Sequence, residues 1–449
     1  MARTGKRSAW SGYITMNVYY LGISFMWNSI GRFLQQAIIS QPNMAGRDNA
    51  EAAMGLLSFG GLLIAMIVQP VAGAFSDHFS SRWGRRRPFM FVATLTDLIF
   101  LAAIAFAPNY GFLIVAYCLL QFSSNIAHGP YQGLLADLVP EAKRGVASGV
   151  KQFIDTSGLI AAALVVPIIV ADPLTALDAN IKTMFAAIAF VLVGTMLVNV
   201  VLVREPALPP TPIKFPRDAF SFAAIGRFIQ AVRAFIRQFP DFSWLIASRL
   251  AILGAVTFIS NYIIFYFQKV IYADLKDSDQ AIKAAIRSQG TLLMTVVVML
   301  VIATLIAGPL SDHYGRRSIN AVGGLIATAG ATLLLFVRNV PLIVLPVASI
   351  SDLFVAGILI GIGMGLYTSA NWAWAIDLTP TTDAARFLGL TNIATAGATV
   401  VTSLLAPFIS VLNTQTAGSG FTFLFSVSVV GLGLGTLMLF KVRETRTQG

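Results

Sequence analysis

Lys151 and Asp155 stand four residues apart in the otherwise apolar stretch G-V-K-Q-F-I-D-T-S-G-L-I. On a helix that spacing puts both on one face, where they can pair. Asp155 falls about ten residues into its helix, roughly 15 Å along the axis and near the midplane of a bilayer. Charges at such depth are costly and normally face the interior of a bundle. A carboxylate beside a lysine can exchange that partner for a proton when water enters, which makes Asp155 the first choice for a coupling residue; the same spacing equally serves a static intrahelical pair. Asp97 has no partner near it in sequence, and is either a protonated structural group or part of the coupling path. Trp27, Asn28, Arg32, Gln35 and Gln36 form a polar stripe in the first apolar segment. Arg32 suits a carboxylate or sugar hydroxyls, or else snorkels to the outer interface. Gln121, Asn125 and His128 follow at nearly helical spacing, the histidine reading first as a satisfied interior residue and second as a proton relay. In N-W-A-W, Asn371 and Trp372 set an amide beside an indole, a common sugar-binding pair whose rival reading is an interfacial belt. Arg249, Asn261 and Asn392 are further candidates for the same path.

A second kind of site is repeated. G-A-F-S-D-H-F precedes the basic run R-W-G-R-R-R around Gly84, and G-P-L-S-D-H-Y-G-R-R covers Gly308 to Arg317. A-D-L-V-P-E-A-K-R around Asp137 likewise returns as I-D-L-T-P-T-T-D-A-A-R around Asp377. The carboxylates Asp77, Asp137, Asp312 and Asp377 therefore fall at helix ends near Arg85, Arg86 and Arg144 in one half and Arg316, Arg317 and Arg386 in the other, with Gly84 and Gly315 at the turns. A carboxylate gains from the dipole of a neighbouring helix N-terminus, and an Asp–Arg contact in a partly dehydrated interface is stronger than on an open surface. These residues are expected to form a cytoplasmic gate. The bland reading, arginines as topology signals alone, does not account for the carboxylates.

What positions such groups follows from composition. Of 449 residues, 56% are hydrophobic and only 11% charged, which excludes a soluble globular protein with a polar surface. Spanning a bilayer takes roughly 20 mostly apolar residues per helix; Gly, Pro and charge clusters divide the chain into twelve such segments. The expected fold is an all-α integral membrane protein of twelve transmembrane helices in two pseudo-symmetric six-helix bundles, 1–203 and 243–449, joined by a linker 204–242. The linker opens E-P-A-L-P-P-T-P and continues as an amphipathic helix, with Ile225, Phe228, Ile229, Val232, Phe235, Ile236 and Phe239 on one face and Arg227, Arg233 and Arg237 on another, suited to an anionic lipid surface. The net charge of +11 is explained by topology: the basic residues gather on alternate breaks, which places both termini in the cytoplasm and leaves nucleic acid without support as a partner. The start M-A-R-T-G-K-R before a long first helix reads as an uncleaved anchor. Cys118 alone excludes a disulfide framework. No Walker loop, nucleophile elbow or metal-ligand spacing occurs, so an enzyme, a cofactor and a metal are not expected.

The form G-x-x-x-D-[RK]-x-G-[RK]-[RK] resembles the signature of the major facilitator superfamily, with His313 in place of one basic residue in the second copy. The longer first copy, S-D-H-F-S-S-R-W-G-R-R-R-P-F, resembles the sucrose and proton symporters of plants and their animal relatives, within the glycoside, pentoside and hexuronide group. Y-Q-G-L-L-A-D-L is similar to their R-A-L-L-A-D-L, with Gln132 where they carry arginine. The resemblance implies a secondary transporter working by alternating access, with a central site between two halves, that moves a small polar solute such as a glycoside together with protons, and it makes Asp137 a further proton-carrier candidate. An exporter of amphiphilic metabolites or drugs, or a facilitator-fold assembly factor or lipid flippase, is the alternative. The expected setting is the cell membrane, with a monomeric chain among lipids.

Overall fold

The computed structural model describes residues 9–79, 81–140, 144–205, 230, 233–275, 277–337, 341–344, 349–378 and 384–443. In chain order, α1 (Ala9–Ser29) continues through a π-helical turn (Ile30–Leu34) into α2 (Gln35–Ile39). Then come α3 (Gly46–His78), α4 (Arg87–Ala105), α5 (Tyr110–Leu138), α6 (Arg144–Val170) and α7 (Leu177–Leu202). The second series is α8 (Pro240–Tyr266), closed by a π-turn (Phe267–Ile271), α9 (Ser278–Tyr314), α10 (Arg316–Leu334), α11 (Asp352–Asp377), α12 (Ala384–Gln415) and α13 (Ser419–Met438). A small antiparallel ribbon, β1 (Pro341–Val344) with β2 (Ser349–Ser351), precedes α11; nothing in the hydropathy pattern announces it.

Local chemistry sets the helix starts. Asn109 caps α5 by accepting from the Phe112 backbone N–H at 2.9 Å, and prolines occupy the first turns of α4 and α8, where no N–H is needed. Gly315 at φ +92° makes the sharp break between α9 and α10. Ten helices are long and apolar enough to cross a membrane. The run Ala9–Ile39 and α10 are not among them, because Asn, Gln and Arg in the one and Gly, Thr and Arg in the other dilute the apolar content. The crossing count carried by apolarity among the described residues is therefore ten, short of the expected twelve. The lipid-type surface is plain: Phe190 is 80% exposed and Leu305 74%.

The chain forms two compact units, Met1–Lys214 with Leu275–Arg287, and Phe215–Asp274 with Ser288–Gly449. The start of α9 thus belongs to the first unit, where Lys283 Nζ donates to the Thr175 carbonyl and Arg287 Nη2 to that of Ala171, both at 2.6 Å. Within the first unit α3 packs on α5, α4 on α5, α1 on α6 and α7, and α4 on α7; in the second, α10 packs on α11, α8 on α12 and α13, and α10 on α13. Such helices meet where small residues let backbones approach. A Cβ on Gly129 would lie 2.3 Å from the Gln69 carbonyl oxygen, and one on Gly158 would lie 2.9 Å from that of Leu21. In the second unit a Cβ on Gly363 would lie 2.4 Å from Ala327 N and 2.5 Å from Gly323 O. Most of the amphipathic linker helix lies outside the described residues; 233–238 is helical, and Phe235 packs its ring on Phe239 and Phe242.

Replacing Gly363 by leucine forces α10 and α11 apart, an overpacking that costs about 1–3 kcal/mol or more. The thermal unfolding midpoint of the detergent-purified variant should fall accordingly; an unchanged midpoint would show that the two backbones are not held together at this crossing.

Candidate functional site

At the basic end of the first unit, the Arg86 guanidinium is shared between two helix-end carboxylates. Arg86 is 4% exposed, ion-paired to Asp77 through Nη2 and to Asp137 through Nε at 3.1 Å. Its Nη1 donates to Ser76 Oγ and, at 3.3 Å, to the Gly73 carbonyl. Arg85 forks onto Asp137, with Nε at 3.2 Å from Oδ2 and Nη2 on Oδ1. Gly133 is required here, because a Cβ would lie 2.6 Å from Arg86 Nη2. Burial by itself would raise the pKa of Asp137, but the hydrogen bonds and charges of Arg85 and Arg86 hold it below the usual carboxylate range.

Glu205 completes this cluster. Its Oε2 accepts the backbone N–H groups of Arg85 and Arg86 at 2.8 and 2.9 Å, and its Oε1 accepts that of Arg87 at 2.9 Å. A carboxylate thus sits on the first turn of α4, where the helix dipole favours it. Gly84, at φ +99°, passes so close that a Cβ would lie 2.7 Å from the Glu205 Cβ. The sequence offers no signal for Glu205 beyond its being the first acid after α7; its partners lie 118 to 120 positions away.

The second unit builds a shorter version. Arg316 Nε meets Asp377 Oδ2 at 3.0 Å, while its Nη1 reaches Asp312 Oδ1 and Ser311 Oγ, each at 2.6 Å. Gly315 supplies the positive φ. Arg317 instead places its guanidinium 5.6 Å from the Phe440 ring centre. Of Arg144 and Arg386 only the helical backbone is described, so their side chains lie outside the described residues. The serine before each aspartate, Ser76 and Ser311, is a partner that sequence reasoning missed although both copies show it.

Deeper in the first unit, α1, α5 and α6 bring their polar residues together. Ser24 Oγ donates to the Asp155 backbone carbonyl at 2.7 Å, Asn28 Nδ2 to the Ser24 carbonyl at 2.8 Å, and Arg32 Nε to Asn28 Oδ1 at 3.0 Å. Gln36, fully buried, donates to the Gly31 carbonyl at 2.8 Å across the π-turn. Lys151 does not close on Asp155: its Nζ stands 4.5 Å over the Tyr20 ring, and no ion pair joins the two. Tyr20 also meets Tyr131 at 4.4 Å between ring centres and His128 edge-on at 6.1 Å, and His128 Nε2 lies 3.3 Å from Gln132 Nε2. Trp27 packs edge-on against Tyr117, which accepts from Gln121, while Asn125 turns back to Gln121 at 2.7 Å. Asp97 stands apart from this group. It is 1% exposed, accepts from Ser123 Oγ through Oδ1, and leaves Oδ2 without a partner.

In the second unit, Arg249 Nη1 donates to Asn371 Oδ1 at 2.8 Å and its guanidinium lies 5.9 Å from the Trp372 ring centre. Asn261 is half-buried further along α8. The Asn392 side chain lies outside the described residues.

Paired helical units with the same internal packing, each with a glycine–arginine turn held by helix-end carboxylates, define a multi-pass helical transporter of the major facilitator fold. The chain belongs to the MFS/sugar transport protein family, whose description matches residues 10–383. Sucrose transport protein SUT1 of Oryza sativa subsp. japonica is 28% identical over 112 residues, 20% of this chain and 21% of that protein. Sucrose transport protein SUC3 of Arabidopsis thaliana is 30% identical over 112 residues, 20% of this chain and 19% of its own. The matched part is thus about a fifth of each relative's length. Among solved structures, a D-xylose-proton symporter superposes with TM-score 0.64 at 16% identity, covering 96% of this chain and 97% of that one. A bacterial homologue of the human lysosomal transporter Spinster, inward-facing and occupied, gives 0.68 at 13% identity, covering 97% of each. At such identities these likenesses concern the fold alone.

Two outcomes test the basic-end cluster. Glu205→Gln keeps an acceptor but removes the charge from the start of α4, and should lower stability by about 0.3–2 kcal/mol, read as a lower unfolding midpoint; an unchanged midpoint would mean that the carboxylate is not seated there. Because the folded-state pKa of Asp137 is depressed, its contribution is present above the ordinary carboxylate value of about 4 and is lost as pH falls through the lowered value. The midpoint difference between the wild type and Asp137→Asn should therefore hold steady from neutral pH to about pH 4 and shrink only below it.

Proposed function

We propose that this transporter carries a small polar solute, of the sugar or glycoside class, in symport with protons by alternating access. The observation that supports it most directly is the joint presentation of Tyr20, Ser24 and Asn28 on α1, Arg32 on the π-turn that follows it, His128 on α5, and Lys151 and Asp155 on α6. Hydroxyl, amide and guanidinium groups fit the hydroxyls of a sugar. The aromatic ring of Trp27 offers a flat apolar face for its C–H edges. A lysine held on an aromatic ring and not on its neighbouring carboxylate leaves Asp155 free to take a proton from entering water, which couples proton and solute when both must be bound before the conformation changes. The names of the relatives agree with the substrate class, sucrose for the plant proteins and D-xylose with protons for the solved symporter.

In the same reading the clusters at Arg86 and Arg316 form the cytoplasmic gate. The alternation of basic breaks puts them, and both termini, on the cytoplasmic side of the cell membrane. Ion pairs that hold one conformation must be exchanged for water in the other, so their strength sets the balance between the states. Asp137, engaged by two arginines, serves here as a gate anchor more readily than as a proton carrier. The transporter is taken to act as a monomer in lipid.

Uptake into proteoliposomes under an imposed pH gradient, screened over sucrose, maltose and xylose, tests the proposal. At least one sugar should accumulate. Asp155→Asn should cut gradient-driven accumulation by about a hundredfold or more, the order of a lost proton-transfer group, while sparing sugar exchange at equal concentrations. Accumulation that survives Asp155→Asn would remove that residue from coupling, and no sugar uptake with or without the gradient would overturn the sugar-symport reading.

A further inference from the structure

The first unit holds a carboxyl with no counter-charge. Asp97 is the eleventh of the 19 residues of α4, roughly 15 Å from its start and 12 Å from its end at 1.5 Å per residue. Against α4 pack α5 and α7, while α1 reaches it at Thr94 and α3 at Phe89. None of them brings a cation to Asp97. On α4 itself the other charge is Arg87, ten residues earlier, whose guanidinium donates to the Val200 carbonyl. The ionisable groups of α7 are Asp178 and Lys182 at its start, which pair with each other; the ammonium lies 5.0 Å from the ring centre of Phe106, past the end of α4. On α5, Asp137 is taken by Arg85 and Arg86, and His128 meets Tyr20 and Gln132; its other titratable groups are tyrosines and Cys118. α1 contributes tyrosines alone, of which Tyr19 shares a 2.6 Å hydrogen bond with Thr94. α3 keeps its charges in its first two turns and its last. Among the described residues Asp97 has no ion pair.

What Asp97 has is one hydrogen bond. Ser123 Oγ donates to Oδ1, and Oδ2 is buried without a partner. The residue is 1% exposed, so bulk water does not make up the deficit. An ionised carboxylate here would be an unpaired charge in the interior of a helix bundle, with one hydrogen bond where it can accept about four. A carboxylic acid carries its proton on Oδ2, leaves Oδ1 as the acceptor that Ser123 requires, and lacks one acceptor only. A neutral hydroxyl left unbonded costs less than a buried charge left unpaired, so the acid is the form that this packing supports. Its proton can leave only if water reaches Oδ2 between α4 and α5. Asp155 differs on both counts, being half-buried and one turn from a lysine.

We propose that Asp97 is a site of fixed proton binding: its carboxyl is uncharged, holds the proton on Oδ2, and does not release it to solvent while the protein works. The bound proton is then part of the scaffold, letting Asp97 and Ser123 join α4 to α5 without a buried charge. The assignment is independent of which solute is carried. Where the proton-symport reading above holds, a proton that does not leave cannot be transported, and coupling falls to Asp155.

The test is the infrared carbonyl stretch of carboxylic acids in the purified full-length protein at about pH 7, where ordinary carboxylates are ionised. The spectrum of the wild type minus that of Asp97→Asn should contain a carboxylic-acid band and no carboxylate band. Ser123→Ala should move that band to higher frequency, because the carbonyl loses its hydrogen bond, a shift that an ionised Asp97 would not give. On transfer into heavy water the band should keep its position after the amides of exposed segments have exchanged. A carboxylate band in the difference spectrum would overturn the uncharged carboxyl, and a prompt downshift in heavy water would overturn its retention of the proton. Asparagine matches aspartate in size and keeps an acceptor for Ser123; where Asp97→Asn nonetheless fails to fold, the Ser123→Ala shift and the heavy-water spectrum of the wild type decide the matter. None of these readouts needs a substrate, so a failure of sugar uptake would overturn the transport reading and leave the proton site standing.

Discussion

One guanidinium fixes the architecture of the basic end of the first unit. Arg86 is almost wholly withdrawn from water, and a cation there is tolerable only if its donors are met by charge and hydrogen-bond acceptors. Asp77 from the end of α3, Asp137 from the end of α5 and Ser76 meet them. Their number dictates the surroundings: α3 and α5 must end side by side, Gly133 must lack a side chain, and the turn at Gly84 must aim Arg86 inward while Arg85 reaches the other oxygen of Asp137. Glu205 holds that turn by its backbone, which ties the end of α7 to the start of α4. Four helix ends are thereby coupled through one charge cluster, so a change at any of them is felt by the rest.

The second unit shows which part of this device is general. Arg316 contacts an aspartate and a serine at the end of α9 and an aspartate on α11, the same set that Arg86 meets in the first unit, where Arg85 adds a second guanidinium on Asp137. The extra residues S-S-R-W lengthen the loop before Gly84, and the Ser81 hydroxyl braces it by donating to the Gly84 carbonyl at 2.7 Å. In the shorter copy Gly315 follows α9 directly, and Arg317 faces Phe440 instead. Arg316 is also the more exposed, with an i,i+4 partner, a pairing that water screens and that is correspondingly weak. Two copies of one motif therefore give clusters of unequal burial and unequal partner sets.

How much of this was legible in the sequence depended on the distance between partners. The repeated motifs, the helix-end carboxylates and the helical class are local or compositional, and could be read directly. Glu205 could not, since hydrogen bonds to backbone N–H groups leave no signature in side-chain pattern. The i,i+4 rule placed Lys151 and Asp155 on one face, as the structure has them, but could not show that Tyr20 on α1 would attract the ammonium group to its ring. Ser123 as the partner of Asp97 was equally invisible, being set by the packing of α4 on α5. The crossing count suffered in the opposite way: hydropathy segments the chain into twelve, yet a helix that packs on its neighbours through Gly, Ala and Thr, as α10 does, loses the apolar content by which spans are counted.

The two units share helix pairing and turn chemistry but not the charge of their interiors, and this difference carries functional meaning. Packing and turns are constrained by the scaffold itself, since close-approach glycines and buried ion pairs fail when altered singly. Interior polar residues face no such constraint and are retained against a desolvation penalty, which makes them the natural place for specificity to reside. In the first unit Lys151 and His128 gather at Tyr20, with Asp155 one turn from the lysine. The second carries an arginine, which keeps its proton under physiological conditions, held by the neutral carbonyl of Asn371. A set of titratable groups in one unit and a fixed charge in the other show that a duplicated scaffold need not duplicate its interior chemistry.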